Sequence, residues 1–188
     1  MFNLYSPNTT TTIEYISANP TPITTPSPFI TPALIAPSIY PTPKDTFNIS
    51  NIKVKSDKRY IYVVGGLRIG NRQYIDRKYK FTFVPTEFVG LDYIRTANSN
   101  KKYTDLDFLS FKINKPSIVY VAYDSRIKSR PGWLKTFTQT NKQILTQNSA
   151  PFIIYEKKFN EGTVVLGGNQ ISRVKSAISN YTIFVKPL

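Results

Sequence analysis

The stretch Asp107 to Arg126, DFLSFKINKPSIVYVAYDSR, decides the fold class. Its first half alternates apolar and polar side chains, and its second half, after Lys115-Pro116, is a run of β-branched and aromatic residues. The alternation is typical of a half-exposed strand, and the run is typical of a central strand. Because Pro116 has no N–H and holds Lys115 extended, the break belongs between two strands. We therefore predict two consecutive β-strands that together form the middle of a sheet.

Short segments with the same strand-like patterns recur through residues 44–188 and are separated by turn-forming residues. Such spacing favours a sandwich over a parallel α/β sheet. The predicted fold class is all-β: a single antiparallel β-sandwich, a jelly roll, with an extended Pro-rich N-terminal arm. Strands are predicted at 46–54, 59–64, 78–84, 92–97, 107–113, 117–123, 151–157, 163–166 and 180–185, with helical turns near 132–137 and 172–178.

Residues 1–43 form the predicted arm, and residues 44–188 form the predicted sandwich domain. The arm holds nine of the fourteen prolines in a Thr/Ser-rich background with one charged residue, Glu14. Proline at this density favours extended backbone, which suits a flexible spacer or a segment that lies along a neighbouring subunit. The second interpretation is favoured because large apolar residues are interspersed with the prolines: Phe29, Ile30, Leu34, Ile35, Ile39 and Tyr40.

The composition excludes several kinds of chemistry. The 188 residues include no cysteine and no histidine, so Ser-His and Cys-His nucleophile systems and the usual zinc sites are excluded. Carboxylates remain, and Asp105 and Asp107 with Asp92 and Asp124 offer oxygen ligands for calcium or a pair for glycoside hydrolysis. The flanking glycines and further acids of a calcium site are absent, and nothing in the sequence fixes the separation of a hydrolytic pair. With only eleven acidic residues in the chain, we predict no enzyme activity, no cofactor and no metal.

The basic residues are distributed unevenly along the chain. The net charge is +14, and all 25 Lys and Arg residues lie in residues 44–188. Basic surface suits nucleic acid, anionic lipid or an acidic protein. No nucleic-acid-binding motif accompanies the lysines, so nucleic acid is not expected as a partner. The N-terminus lacks the pattern of a signal peptide and no stretch approaches the ~20 apolar residues of a membrane span, so a soluble, unprocessed protein is expected.

Five blocks occur in order along the chain: GLDYIRTAN (90–98), DFLSF (107–111), VYVAYDSR (119–126), PGWL (131–134) and LGGN (166–169). Together they resemble an accessory β-sandwich domain that recurs near the C-termini of bacterial secreted polysaccharide-degrading proteins. The resemblance covers about residues 79–169. It implies a non-catalytic sandwich for attachment or carbohydrate contact, and it identifies no catalytic residue.

A second resemblance rests on architecture and composition. A lone sandwich with an extended arm is similar to a single jelly-roll penton or minor capsid protein of a large icosahedral DNA virus of the chlorella-virus type. On this basis we predict a structural capsid protein of the virion, made in the host cell without a signal peptide. It would assemble around a symmetry axis as a homo-oligomer, expected to be a pentamer, beside other capsid proteins, with its arm on neighbouring subunits.

The alternative prediction is a non-catalytic carbohydrate-binding attachment module that contacts a host glycan. Aromatic faces stack on sugar rings while planar polar groups bond hydroxyls. Tyr93 and Tyr123 lie in predicted strands and fit a core equally well, and Trp133 fits either an exposed anchor or a core plug. The predicted contact residues for a glycan or a partner are Trp133, Tyr103, Arg126, Asp124 and Arg95.

Overall fold

A computed structural model describes residues 46–147, 150–171 and 178–188. In these ranges the strands are β1 Ile49–Val54, β2 Ile61–Val63, β3 Phe81–Phe83, β4 Asp92–Arg95, β5 Leu109–Ile113, β6 Ser117–Asp124, β7 Thr138–Thr146, β8 Phe152–Phe159, β9 Gly162–Leu166 and β10 Thr182–Pro187. Three short 3₁₀ helices accompany them: η1 Thr86–Phe88, η2 Asn98–Lys102 and η3 Leu134–Thr136. The predicted arm and its apolar residues 29–40 lie outside the described residues, as does most of the helical turn predicted at 172–178.

The strands form two antiparallel sheets. One sheet has three strands in the order β1-β5-β9, and the other has seven in the order β2-β4-β10-β6-β8-β7-β3. Side chains from both sheets meet in one apolar core that includes Phe111, Val121, Val164 and Ile183. The prediction of an all-β antiparallel sandwich is therefore confirmed.

The two strands predicted within Asp107 to Arg126 lie in different sheets. β5 is the middle strand of the three-stranded sheet, and β6 is the middle strand of the seven-stranded sheet. The prediction that they form the middle of one sheet together is wrong. Lys115-Pro116 instead carries the chain from one sheet to the other, and the carbonyl of Pro116 accepts a hydrogen bond from the N–H of Leu188 at 3.0 Å.

The seven-stranded sheet is covered on both faces. Val119 and Val121 of β6 face the core between the sheets, whereas Tyr120 and Ala122 face a second apolar cluster. The segment between β2 and β4 covers this second cluster with side chains that include Leu67, Val84 and Phe88. Burial on both faces explains why the sequence of β6 is a continuous apolar run rather than an alternating one.

β7 is a strand that the sequence did not predict. Its sequence, TQTNKQILT, is mostly polar, and its first six residues are exposed or half-buried. Its pairing with β8 shifts between Gln139 and Gln143, where the Thr140 hydroxyl donates to the carbonyl of Ile154 at 2.9 Å. Pairing with its neighbours, rather than an apolar pattern, therefore holds β7 in the sheet.

Candidate functional site

The helix η2 lies at one end of the sandwich, directly after β4, and partners distant in sequence hold it. The Asp76 carboxylate accepts hydrogen bonds from the backbone N–H of Asn98 at 2.7 Å and of Ser99 at 2.9 Å. Burial raises the pKa of Asp76, but these backbone N–H groups outweigh it, and the net pKa lies below the ordinary 3.8. Asp76 is therefore an anionic anchor for the start of η2.

A buried polar network fixes the middle of η2. The Asn100 amide donates to the Ser56 hydroxyl at 2.8 Å and to the Tyr60 hydroxyl at 3.1 Å. The Asn180 amide also donates to Tyr60, at 3.2 Å, and its backbone N–H donates to the Asn98 side chain at 3.0 Å. Burial raises the pKa of Tyr60 to about 12, so its hydroxyl stays protonated at neutral pH. These bonds tie η2 to the chain that enters β10.

The residues after η2 pair with the segment that contains Gly167 and Gly168. The N–H of Gly168 donates to the carbonyl of Asp105 at 2.6 Å, and the N–H of Gln170 donates to the carbonyl of Tyr103 at 3.1 Å. A Cβ on Gly168 would lie 2.3 Å from the Tyr103 carbonyl oxygen, so glycine is required for this approach. Neither Gly167 nor Gly168 has a positive φ, so the close contact rather than a turn conformation requires the glycine.

A cavity of about 490 Å³ opens beside this paired segment. Lys102, Tyr103, Thr104 and Asp105 line it, and these residues are half-buried or exposed. The Tyr103 ring packs on the buried Phe108 at 4.5 Å between ring centroids, which fixes its position. An ammonium, a phenol, a hydroxyl and a carboxylate at one opening can donate to and accept from the hydroxyl groups of a ligand.

Trp133 is half-buried and packs against the core. Its indole N–H donates to the carbonyl of Gly168 at 2.9 Å, and its ring meets Phe137 and Tyr181 edge-on at 5.9 Å and 5.5 Å. A Cβ on Gly167 would lie 2.3 Å from the indole ring. Trp133 therefore supports the Gly167-Gly168 segment, which in turn pairs with the cavity-lining residues.

Asp124 and Arg126 form a clamp within the fold. The Asp124 side chain is fully buried, and the Arg126 guanidinium donates to its two oxygens at 2.9 Å and 2.6 Å. The same carboxylate accepts from the N–H of Ser179 at 2.7 Å. The hydrogen bond with Asp124 is the main cause that raises the pKa of Arg126. Both side chains hold the end of β6 to the chain before β10.

Arg95 lies on β4, and its guanidinium contacts the Tyr93 hydroxyl at 3.2 Å. Tyr93 is fully buried in the second cluster, and its hydroxyl donates to the carbonyl of Arg72 at 2.7 Å. Tyr123 is also buried, and it donates to the carbonyl of Asn169 at 2.6 Å. Tyr93 and Tyr123 therefore lie in the interior of the domain, which agrees with the interpretation of them as core residues.

Of the five predicted contact residues, Tyr103 lines the cavity, beside Lys102, Thr104 and Asp105. Trp133, Asp124, Arg126 and Arg95 are not among its lining residues. The predicted contact residues did not include Lys102 and Thr104, and Asp105 was considered only as a candidate calcium ligand before a metal site was rejected. The signal that was present is the uninterrupted polar run from Asn98 to Asp105 between two strands, which is typical of a loop that carries function.

The four aspartates considered for calcium have separate partners or positions. Asp92 accepts from the Tyr62 hydroxyl and from the N–H of Gly65, Asp107 pairs with Lys55, and Asp124 lies in the clamp. Within 46–147, 150–171 and 178–188, no group of three or more Asp, Glu, His or Cys residues is placed to hold a metal ion. No helix in that part of the chain is long and apolar enough to cross a membrane.

The chain is similar to a segment of a much larger carbohydrate-active protein. Over 117 residues, 62% of this chain, it is 23% identical to a β-glucuronidase of Formosa agariphila, and the match covers 12% of that protein. The solved structure of a β-glucuronidase from glycoside hydrolase family 2 matches with a TM-score of 0.66 and 23% identity, covering 72% of this chain and 14% of the other. No family model matches. The chain thus has distant homology to a segment of a family 2 β-glucuronidase.

A weaker structural likeness is to a GH138 enzyme that targets pectin rhamnogalacturonan II, with a TM-score of 0.45 and 15% identity. It covers 70% of this chain and 17% of the other. The distant homology to a β-glucuronidase segment agrees with the resemblance to an accessory β-sandwich domain of polysaccharide-degrading proteins.

The predicted capsid function is wrong. The sequence and the structure are similar to a segment of a β-glucuronidase, so the predicted location in a virion is wrong as well. The error arose because one sandwich with a proline-rich arm suits many assemblies, so architecture alone did not identify a function. The predicted homo-oligomer stays a prediction.

Proposed function

We propose that the domain is a non-catalytic carbohydrate-binding accessory module and that the cavity at Lys102 to Asp105 contacts the glycan. The observation that carries the proposal is the distant homology to a segment that makes up 12% of a β-glucuronidase. A piece of that size corresponds to one module of a larger chain. The cavity supports the proposal because it presents hydrogen-bonding groups of both kinds beside an aromatic ring.

Three carboxylates of the domain are poorly suited to act as the acid in glycoside hydrolysis. Glycoside hydrolysis uses a carboxylic acid whose pKa is raised and a second carboxylate about 5 to 10 Å away. The hydrogen bond from Lys55 lowers the pKa of Asp107, and the hydrogen bond from Lys58 lowers that of Asp57. Asp76 is also held below its ordinary pKa. These shifts run opposite to what a general acid requires.

A retention assay tests the proposed function. The full chain is passed through gels that contain neutral or acidic polysaccharides, and retardation is measured. Tyr103→Ala should reduce retention on the bound polysaccharide by about tenfold or more, because stacking and hydroxyl contacts together contribute about 1 to 3 kcal/mol. Tyr103→Phe keeps the packing on Phe108 and removes only the hydroxyl, so it should lose part of the retention without loss of fold.

Phe159→Ala is the matched control. Phe159 is also a half-buried aromatic residue, and its ring packs on the buried Phe137 at 6.0 Å between centroids. It lies opposite Ser117, at the far end of β6 from η2. The control should retain the glycan as the wild type does. Equal retention by Tyr103→Ala and the wild type would rule out this cavity, and no retention on any polysaccharide would rule out the carbohydrate-binding function.

A further inference from the structure

Three cavities are lined by η2 itself or by segments that bond to it. The cavity at Lys102 to Asp105 follows its last turn. A second, of about 480 Å³, is lined by the segment from Ser56 to Tyr60, which bonds to Asn100 of η2. A third, of about 380 Å³, is lined by the segment from Ile75 to Lys78 and by Arg72, and it contains Asp76, the anchor of η2. We call the residues that line these cavities the η2 surface.

Cations outnumber carboxylates on the η2 surface. Its carboxylates are Asp57, Asp76 and Asp105. Asp57 pairs with Lys58 at 2.7 Å, and Asp76 is bonded to the N–H groups of η2. Asp76 also pairs with Arg77 at 3.3 Å, so two of the three carboxylates are paired with cations of this surface, and the cations exceed the carboxylates by three. The six cations on this surface are Lys58, Arg59, Arg72, Arg77, Lys78 and Lys102.

The helix η2 links the three cavities structurally. Its residue Lys102 lines the first cavity, and its residue Asn100 donates to Ser56 and Tyr60, which line the second. The N–H groups of Asn98 and Ser99 donate to Asp76, which lines the third. The three cavities therefore lie around one element, and cationic side chains line each of them.

We propose that the η2 surface binds an anionic polysaccharide, with the carboxylate or sulfate groups of the sugar chain against Lys58, Arg72 and Lys78. This inference rests on the proposed function and deepens it by naming the class of glycan. Guanidinium and ammonium groups at separate cavities suit a repeating anion better than a single charged group. Hydroxyl and carboxylate groups at Thr104 and Asp105 bond the sugar hydroxyls between the charges.

The aromatic residues of this surface favour polysaccharide over nucleic acid. Single-stranded nucleic acid is held by aromatic faces on which successive bases stack. Tyr60 is 8% exposed, and Tyr103 is half-buried with its ring packed on Phe108. A series of open aromatic faces is therefore not present among the described residues of the η2 surface. Nucleic acid is one outcome of the test below.

The test compares two variants of the full chain that change the net charge equally. Lys58→Gln with Arg72→Gln and Lys78→Gln removes three cations from the η2 surface and leaves Asp76 in place. Lys112→Gln with Lys158→Gln and Lys186→Gln is the control. Lys158 and Lys186 both lie opposite Ile118, at the far end of β6 from η2. All three control lysines are exposed.

The probes are polygalacturonate, dextran sulfate, neutral dextran and a single-stranded oligonucleotide, and dissociation constants are measured by titration at low and physiological ionic strength. The expected result is that one or both acidic polysaccharides bind and that the η2-surface variant weakens this binding about tenfold or more. The control variant should change it less than twofold. Binding should weaken with added salt, because screening reduces contacts between exposed charges.

Each other outcome overturns the proposal in a distinguishable way. Equal binding of neutral dextran, or acidic binding that the η2-surface variant does not weaken, removes the anionic specificity and leaves the carbohydrate-binding function standing. No binding of any polysaccharide removes both. Tighter binding of the oligonucleotide than of either acidic polysaccharide, lost in the η2-surface variant, assigns the surface to nucleic acid instead.

Discussion

Trp133→Ala should destabilise the domain strongly, because Trp133 supports the Gly167-Gly168 segment from inside. Truncating a core aromatic residue costs about 3 to 5 kcal/mol. Trp133 is half-buried, which places its packing cost near 3 kcal/mol, and loss of the bond to the Gly168 carbonyl adds about 1 kcal/mol. The expected loss is about 4 kcal/mol in the free energy of unfolding, a large part of the roughly 5 to 15 kcal/mol of an ordinary domain.

Urea unfolding followed by far-ultraviolet circular dichroism measures this loss without relying on tryptophan fluorescence. Trp133→Phe keeps an aromatic ring against Phe137 and Tyr181 and removes the indole N–H, so it should lose about half as much. An unfolding midpoint for Trp133→Ala equal to that of the wild type would refute the reasoning. Loss of glycan retention by a Trp133→Ala protein of wild-type stability would show that Trp133 is an exposed anchor after all.

The remaining predictions concern the Gly168 contact and the Asp76 anchor. Gly168→Ala should lower the free energy of unfolding by about 2 kcal/mol or more. Gly132→Ala is the control, because its Cβ would meet nothing within 4 Å, and it should change the free energy of unfolding by less than about 0.5 kcal/mol. Equal effects of the two variants in urea unfolding would contradict the close contact at Gly168. Because its folded pKa lies below 3.8, Asp76 contributes stability that is present above the unfolded pKa and is lost as pH falls through the folded pKa. Asp76→Asn should therefore have a lower free energy of unfolding than the wild type at pH 7. This difference in stability should shrink towards pH 2 in acid unfolding. A stability difference that does not depend on pH would show that the charge of Asp76 is unimportant.

Local patterns predicted the strands well because each pattern is a property of neighbouring residues. Nine of the ten strands overlap predicted ones, and the missing strand, β7, is mostly polar. The partner of each strand could not be predicted in the same way. β5 and β6 are adjacent in sequence but pair in different sheets, since pairing depends on contacts between distant segments such as β6 with β10.

The candidate site was predicted in part. Tyr103 was selected for its aromatic ring and lines the cavity. Asp76 could not be predicted as an anchor, because its partners, Asn98 and Ser99, lie more than twenty residues away in sequence. Trp133 could not be assigned to surface or core because its burial depends on how closely the backbone at Gly167 approaches the ring. The charge of residues 44–188 was visible, but its arrangement around η2 required the fold.

Backbone amide chemical shifts, measured by nuclear magnetic resonance during titration with an acidic oligosaccharide, show whether the loop after η2 contacts an acidic glycan. We expect concentration-dependent shifts at Lys102 to Asp105 that spread to Lys58 and to Arg72 to Lys78. We expect no change at Lys158 or Lys186, at the other end of the sheet. Shifts confined to that other end, or an unchanged spectrum at saturating oligosaccharide, would show that the loop does not bind the glycan.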